Sequence, residues 1–305
     1  MALFAALPLW GAETVAHPFA GITHISRTET MPRPLRMQML RIDLDAPGIS
    51  FHLTGPAGSR ETVRQTTLAF LQQEKAQAAI NAHFFLPFPS TDINSDLIGL
   101  ASSGGNVFSA FEEPAQSYAL VAHAPALNID RSNRASIVHH DSGFADGKHV
   151  REPANLWTAV SGSAQIITGG KASIPTYIEP PDLIGLLTPG GPGKYSRGNS
   201  WYEAPNARTV IGLSADRRTL FLFVADRSGG GLGMKLSEVA ELLARDYGVH
   251  EALNLDGGGS TTLAMEDPAT GVARILNSSS DNPNGRAVGS NLAVFATAVR
   301  VAPKE

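Results

Sequence analysis

The densest chemistry in the chain lies in Asn254-Leu255-Asp256-Gly257-Gly258-Gly259-Ser260-Thr261-Thr262. A carboxylate ends an apolar run, three glycines follow, and three hydroxyls come next. Glycine gives up more conformational freedom on folding than any other residue, so a run of three marks a backbone that must turn sharply or approach something closely. A carboxylate before such a turn, with N–H groups and hydroxyls in and after it, suits a polar ligand that is anionic or sugar-like. Asp256 can act there as general acid or base, as nucleophile, or as acceptor for sugar hydroxyls. Burial would raise its pKa, while nearby N–H donors or an arginine would lower it. The structural alternative is a turn aspartate that bonds its own backbone.

Other residues can join this set. Arg208 opens a strand after Pro205-Asn206-Ala207, where a guanidinium can present a planar fork to a phosphate or carboxylate. Asp226-Arg227 ends the next strand and leads into Ser228-Gly229-Gly230-Gly231-Leu232-Gly233, a second glycine loop that opens toward a helix. Backbone donors near a helix N-terminus suit an anion. The loop lacks the Gly-Lys-Ser/Thr ending of a P-loop and the glycine spacing of a dinucleotide fingerprint. Asn284-Gly285-Arg286 precedes the last strand, whose Ser290 and Asn291 can face a site. His139-His140-Asp141 is a poor metal set, because adjacent histidines on an extended chain point to opposite faces. There is no His-Glu-x-x-His pair and no Gly-x-Ser-x-Gly elbow. Neither a metal nor another cofactor is expected.

These residues need strands and helices to hold them. Pro18–Thr28 and Leu35–Leu44 read as strands. The alternation in the second changes phase at Met39-Leu40, which predicts a bulge or bend. Ser59–Lys75 reads as a helix with Val63, Thr67, Phe70 and Leu71 on one face and Ser59 as cap. Ala78–Phe85 reads as a buried strand, and residues 86–117 as a long loop. Tyr118–His123, Ala135–His139 and Leu156–Thr168 read as further strands, with a second loop over 175–205. Asn206–Ser214 and Thr219–Ala225 form a hairpin, whose second strand is apolar at nearly every position and so covered on both faces. Leu236–Tyr247 is an amphipathic helix stopped by Gly248. Ala252–Leu255 leads into the glycine turn, and Val288–Val301 closes the chain as a long strand.

Composition sets the frame. The chain has 305 residues, 43% of them hydrophobic, enough for one large core. A net charge of −4 with scattered Lys and Arg excludes the footprint of a nucleic-acid binder. The absence of cysteine excludes disulfides, thiolate zinc sites and a cysteine nucleophile. The 30 glycines and 20 prolines favour short strands joined by turns over a helical bundle. No apolar run reaches the length of a membrane span. Met1–Trp10 followed by Gly11-Ala12 resembles the tail of a signal peptide without its positive start; a packed N-terminal segment fits as well. The expected organisation is an N-terminal segment, 1–17, and one α+β domain, 18–303, with a mixed, mostly antiparallel sheet and a few packed helices.

The ordered segments Asn81–Phe85, Arg208–Gly212, Val224–Arg227, Gly233–Ala240, Ala252–Thr262 and Arg286–Asn291 together resemble the phosphodiester glycosidase family. The likeness runs from about Pro18 to Val301, and Asn254–Thr261 is its most specific part. It implies hydrolysis of a sugar-1-phosphodiester at the glycosidic carbon–oxygen bond, in an exopolysaccharide or cell-envelope glycan of a bacterium. The signal-like N-terminus makes a periplasmic or extracellular location the expectation, with the cytoplasm as the alternative. Carried over by position, Asp256, Asp226 and Arg208 become the catalytic candidates. Asn81, His83, Gly257, Gly258, Gly259, Ser260, Thr261, Arg286 and Asn291 become the candidates for binding a carbohydrate phosphodiester. His83 replaces a more usual glycine, Lys235 stands where threonine often starts the helix, and the approach to Asp226 lacks a common extra glycine. The phosphate is expected on Arg208, with Arg286 and the N–H groups of Gly257 to Ser260. The two aspartates share the roles of nucleophile or base and of sugar orientation. A non-catalytic glycan binder and a metal-dependent phosphodiesterase are the rival readings. The oligomeric state is left open.

Overall fold

The computed structural model describes residues 11–111, 123–174, 204–278 and 282–299. Met1–Trp10, most of Tyr118–His123 and most of the 175–205 loop lie outside them. Among the described residues, strands dominate and there are two α-helices. An eight-stranded antiparallel sheet runs in the spatial order Glu13–Phe19, Ile22–Glu29, Leu35–Asp43, Thr219–Ala225, Arg208–Ser214, Val249–Asn254, Ala164–Thr168, Lys171–Ala172. A five-stranded sheet runs Ala273–Ile275, Leu263–Glu266, Ala78–Asn81, Asn291–Phe295, Ser50–Leu53. Another holds Ala101–Ser103, Thr158–Ser161 and their neighbours. The first strand begins at Glu13, ahead of the expected domain start at Pro18.

The strand Leu35–Asp43 explains its own sequence. Its pairings with both neighbours run without a register break, so the expected bulge at Met39-Leu40 is absent. Met37 and Met39 face one core, while Leu40 and Ile42 face another on the opposite side of the sheet. The change of phase records which face is covered, not a kink. Thr219–Ala225 is apolar throughout for the same reason: Phe221 and Phe223 pack on one side, Leu220, Leu222 and Val224 on the other. The first side is closed by α2 (Leu236–Tyr247), whose Leu236, Val239, Ala240 and Leu243 are buried. Removing one such leucine side chain costs about 2–5 kcal/mol. Lys235 caps this helix through its backbone N–H, which donates to Glu238 Oε2 at 2.7 Å.

The helix expected over Ser59–Lys75 is shorter: α1 spans Thr67–Glu74. Thr66 is the cap, accepting from the Ala69 N–H at 3.2 Å. Thr62–Val63 and Gln65–Thr66 are short strands instead, paired with Asn94–Ser95 and Ala287–Val288. Their β-branched residues favour the pleat. The expected long loop at 86–117 likewise contains Asn94–Leu97, Ala101–Ser103 and Asn106–Ser109. Ala78–Phe85 divides after Asn81, and Leu156–Thr168 divides into two strands around Gly162. The final strand spans only Asn291–Phe295.

Candidate active site

Asp256 sits where the large sheet meets the five-stranded sheet. The strand Val249–Asn254 carries the chain there between two neighbours, and the Leu255 N–H continues the ladder to Thr209 O at 2.9 Å. The next residue crosses to the second sheet: the Asp256 N–H donates to Ala82 O at 3.0 Å, and Asn81 Nδ2 donates to Asp256 O at 2.6 Å. The glycines answer two different demands. A Cβ at Gly257 would lie 2.8 Å from Ala207 O, closer than side chains come to backbone. Gly258 has a φ of +59°, in the left-handed region that favours glycine. One short 3-10 turn, Gly258–Ser260, completes the corner.

The Asp256 side chain opens onto a cavity of about 310 Å³ that Gly257 to Gly259, Arg208 and Arg286 also line. Burial pushes its carboxyl up to about 7; the Ser260 hydroxyl, the Arg286 charge and the Gly257 N–H pull in the opposite direction. Asp256 is 8% exposed and Arg208 only 1%. Arg208 Nε donates to Met234 O at 2.8 Å and its Nη2 to Ala204 O at 2.5 Å, so the guanidinium plane is fixed by backbone carbonyls. Arg286 donates from Nη1 to Ser260 Oγ at 3.2 Å and lies 4.6 Å from the centre of the Phe88 ring. A carboxyl and two guanidiniums thus share one partly enclosed space.

Three of the four N–H groups expected to cradle the phosphate have partners within the protein. The Gly258 N–H donates to Ala207 O at 2.9 Å and the Ser260 N–H to Gly257 O at 3.1 Å. The Gly257 N–H serves the Asp256 carboxylate itself. Three of these N–H groups are thus engaged within the protein, and the Arg208 and Arg286 guanidiniums bring positive charge to the cavity.

Several candidate binding residues lie behind the cavity wall. Asn81 Oδ1 accepts from Thr209 Oγ1 at 3.0 Å and from the Thr262 N–H at 2.9 Å, so its amide laces the two sheets beneath the turn. Thr261 Oγ1 accepts from Thr209 Oγ1 at 3.3 Å. Asn291 accepts from Thr67 Oγ1 at 2.7 Å and donates to Gln65 O at 3.2 Å, anchoring the start of α1. His83 is fully buried, with Nδ1 at 2.9 Å from Ser290 Oγ and Nε2 accepting from the Ser161 N–H at 3.0 Å. Burial lowers its pKa to about 4, so the ring is neutral at pH 7. Asp226 is also absent from the cavity lining. Its Oδ1 accepts from Asn277 Nδ2 and from the Ser278 N–H, each at 3.0 Å. Burial raises its pKa to about 6 against those two bonds.

The remaining wall is aromatic and was not read as part of the site. Phe84, Phe85 and Phe88 line the cavity together with the glycines. Phe84 and Phe85 end the expected buried strand Ala78–Phe85 and Phe88 lies in the stretch after it, so their apolar type alone does not mark them as cavity lining. Asn206 completes the rim: its Oδ1 accepts from Arg227 Nη1 at 3.3 Å, and its Nδ2 lies 3.9 Å from where a Gly258 Cβ would sit.

A sheet-rich domain with an acid–glycine corner beside paired arginines defines a class, and comparison with known proteins places the chain in it. The model of the phosphodiester glycosidase family matches residues 74–295, and the chain belongs to that family. It is 31% identical over 125 residues to mouse N-acetylglucosamine-1-phosphodiester alpha-N-acetylglucosaminidase, a stretch that makes up 41% of this chain and 22% of the mouse protein. The fold is similar to the catalytic domain of the zebrafish enzyme of the same name, solved in a form auto-inhibited by its pro-peptide. That match has a TM-score of 0.57 at 18% identity and covers 96% of this chain and 85% of the other. A hypothetical protein from Synechocystis is similar too, with a TM-score of 0.60 at 16% identity, covering 95% and 69% of the two chains. No helix among the described residues is long and apolar enough to cross a membrane.

Proposed function

We propose that this protein hydrolyses the glycosidic carbon–oxygen bond of a sugar-1-phosphodiester. The observation that carries the reading is the cavity shared by the Asp256 carboxyl and the Arg208 and Arg286 guanidiniums. Family membership supports the reaction class. The phosphodiester lies against the two cations, and the sugar lies over the aromatic wall with its anomeric carbon toward Asp256.

The chemistry follows from the charges. Breaking the glycosidic bond leaves both electrons on a phosphate oxygen. That oxygen is a fair leaving group, so its developing charge needs stabilising more than it needs a proton. Fixed cations in a partly dry cavity supply that stabilisation. Glycosidases usually divide the work between two carboxylates, but Asp256 is the one carboxylate lining this cavity among the described residues. In its ionised form it attacks the anomeric carbon or removes a proton from an attacking water. A pKa of about 7 suits proton transfer at neutral pH. Asp226 is assigned a positioning role: it holds Asn277, whose Nδ2 also donates to Thr261 O at 3.1 Å beside the turn.

The substrate is placed in a bacterial exopolysaccharide or envelope glycan, outside the cytoplasm. The signal-like composition of Met1–Ala12 supports the location, and fractionation of the native host would test it. The activity is tested with Asp256→Asn on a sugar-1-phosphodiester carrying an activated aglycone. Turnover should fall by at least about a thousandfold, on the order of 4 kcal/mol of transition-state stabilisation. Turnover within a few-fold of wild type would overturn the assignment, and substrate binding without any turnover by the wild type would favour a glycan-binding protein.

A further inference from the structure

Asn206 stands two residues ahead of Arg208, so the two side chains leave the extended chain on the same face. One carbonyl pins both residues: Met234 O accepts from the Asn206 N–H at 3.1 Å and from Arg208 Nε at 2.8 Å. The Met234 N–H returns a bond to Asn206 O at 2.9 Å, which closes an antiparallel bridge. Gly233 lets the bridge close, since a Cβ there would lie 2.7 Å from Asn206 N. Asn206 and Arg208 both line the cavity with Asp256.

The Asn206 amide is oriented by its oxygen. Oδ1 accepts from the Ala207 N–H at 2.9 Å and from Arg227 Nη1 at 3.3 Å. Two donors aimed at one atom identify it as the oxygen, because an NH2 group in its place would face two N–H groups. The NH2 end is thereby turned the other way, over the glycine turn, with Nδ2 3.9 Å from where a Gly258 Cβ would sit. Among the described residues Nδ2 has no protein partner. This end of the cavity therefore offers donors: an amide NH2 on the same chain face as the Arg208 guanidinium. An oxygen that carries charge and no hydrogen of its own suits such a set best.

We propose that Asn206 is a substrate-binding residue whose Nδ2 donates to a non-bridging oxygen of the substrate phosphate. The inference rests on the activity proposed above, which lays the phosphodiester against Arg208 and Arg286. It adds a neutral donor to the two cations. Charge attraction holds a phosphate from many directions, whereas a hydrogen bond is directional. An amide fixed at its oxygen end thus orients one P–O bond and, through it, the diester as a whole.

The test uses binding alone, so it does not depend on turnover. Dimethyl phosphate carries the diester anion and no sugar. It is titrated into the full-length protein near pH 6, below the Asp256 pKa of about 7, and followed by phosphorus NMR. Asn206→Ala removes the donor and adds no charge, and should weaken binding about tenfold, the worth of a hydrogen bond to a charged group. Asn206→Asp keeps both bonds accepted at Oδ1 and turns a carboxylate oxygen toward the anion. It should weaken binding by at least about thirtyfold and leave the melting temperature unchanged. Wild type without saturable binding, or an alanine variant that binds as wild type does, would overturn the assignment. So would an aspartate variant that melts lower and binds unchanged, which would mark a structural residue. Affinity lost in both variants of a protein that hydrolyses no sugar diester would leave the contact standing and overturn the proposed activity instead.

Discussion

The side-chain amide of Asn81 donates to the backbone carbonyl of Asp256 at 2.6 Å, while its oxygen accepts from Thr209 and Thr262. One buried amide thus ties the glycine corner to strands of both sheets through its oxygen and its nitrogen. Asn81→Asp keeps the shape and replaces the donor with a carboxylate aimed at a carbonyl. A buried donor or acceptor left unmatched costs about 1–3 kcal/mol, more where a charge is involved. Thermal unfolding should report that loss, and turnover should fall with KM nearly unchanged. A variant as stable and active as wild type would show that the lacing does not position Asp256.

Asp256 itself links activity to pH. Its folded pKa, about 7, lies above that of an unfolded aspartate, about 4. In the proposed mechanism the ionised form reacts, so kcat/KM should rise with pH and level off above about 7. Stability should move in the opposite sense. Between about pH 4 and 7 the folded state holds a proton that the unfolded state has released, so stability falls as pH rises, by up to about 1.4 kcal/mol per unit. Asp256→Asn removes that penalty. Its melting temperature should exceed that of wild type by a margin that widens from pH 5 to about pH 7 and then levels off, while activity is lost. Parallel melting curves across that range would contradict the burial of this carboxyl.

Asp226 should behave differently. Both of its bonds fall on Oδ1, and the amide oxygen of an asparagine can accept both. Asp226→Asn should keep activity within about tenfold, whereas Asp226→Ala should release Asn277 and Ser278 at a cost of about 1–3 kcal/mol and lower turnover further. Parallel assays with Asp256→Asn separate a positioning residue from a reacting one. Equal, complete losses in both asparagine variants would make Asp226 a reacting group.

Arg286 contributes through charge, planarity and its contact with Phe88. Lysine supplies only the charge, so Arg286→Lys should not rescue the enzyme. Arg286→Gln should lower kcat by about 100–1000-fold, the usual worth of a group that stabilises developing negative charge. The loss should shrink for diesters with a more acidic aglycone phosphate, measured as a flatter dependence on leaving-group pKa in the wild type than in the variant. Identical slopes would place Arg286 outside the charge-stabilising role.

Part of this architecture was legible in the sequence because its periodicity is long. Leu236–Tyr247 carries a full apolar stripe and a glycine stop, and Arg208–Ser214 with Thr219–Ala225 forms a hairpin of two seven-residue strands. The strands between Phe85 and Ser109 have two to four residues each, too few for alternation to show. At the site, the glycine corner and its acid announced themselves through residue type. The roles of Asn81, His83, Thr261 and Asn291 did not, because a polar side chain between two sheets reads the same whether it faces a cavity or a neighbouring strand. Only the fold decides which, and here it turns all four toward protein partners. The aromatic wall is not legible in sequence, because a phenylalanine reads the same whether it fills a core or lines a cavity.

The central claim is that water attacks carbon and leaves phosphorus untouched. Hydrolysis of a sugar-1-phosphodiester in oxygen-18 water, followed by mass spectrometry of both products, tests it most directly. The account expects the label at the anomeric hydroxyl of the released sugar and an unlabelled phosphate monoester. Label in the phosphate would mean cleavage of the phosphorus–oxygen bond, and the roles given to Asp256, Arg208 and Arg286 would be wrong.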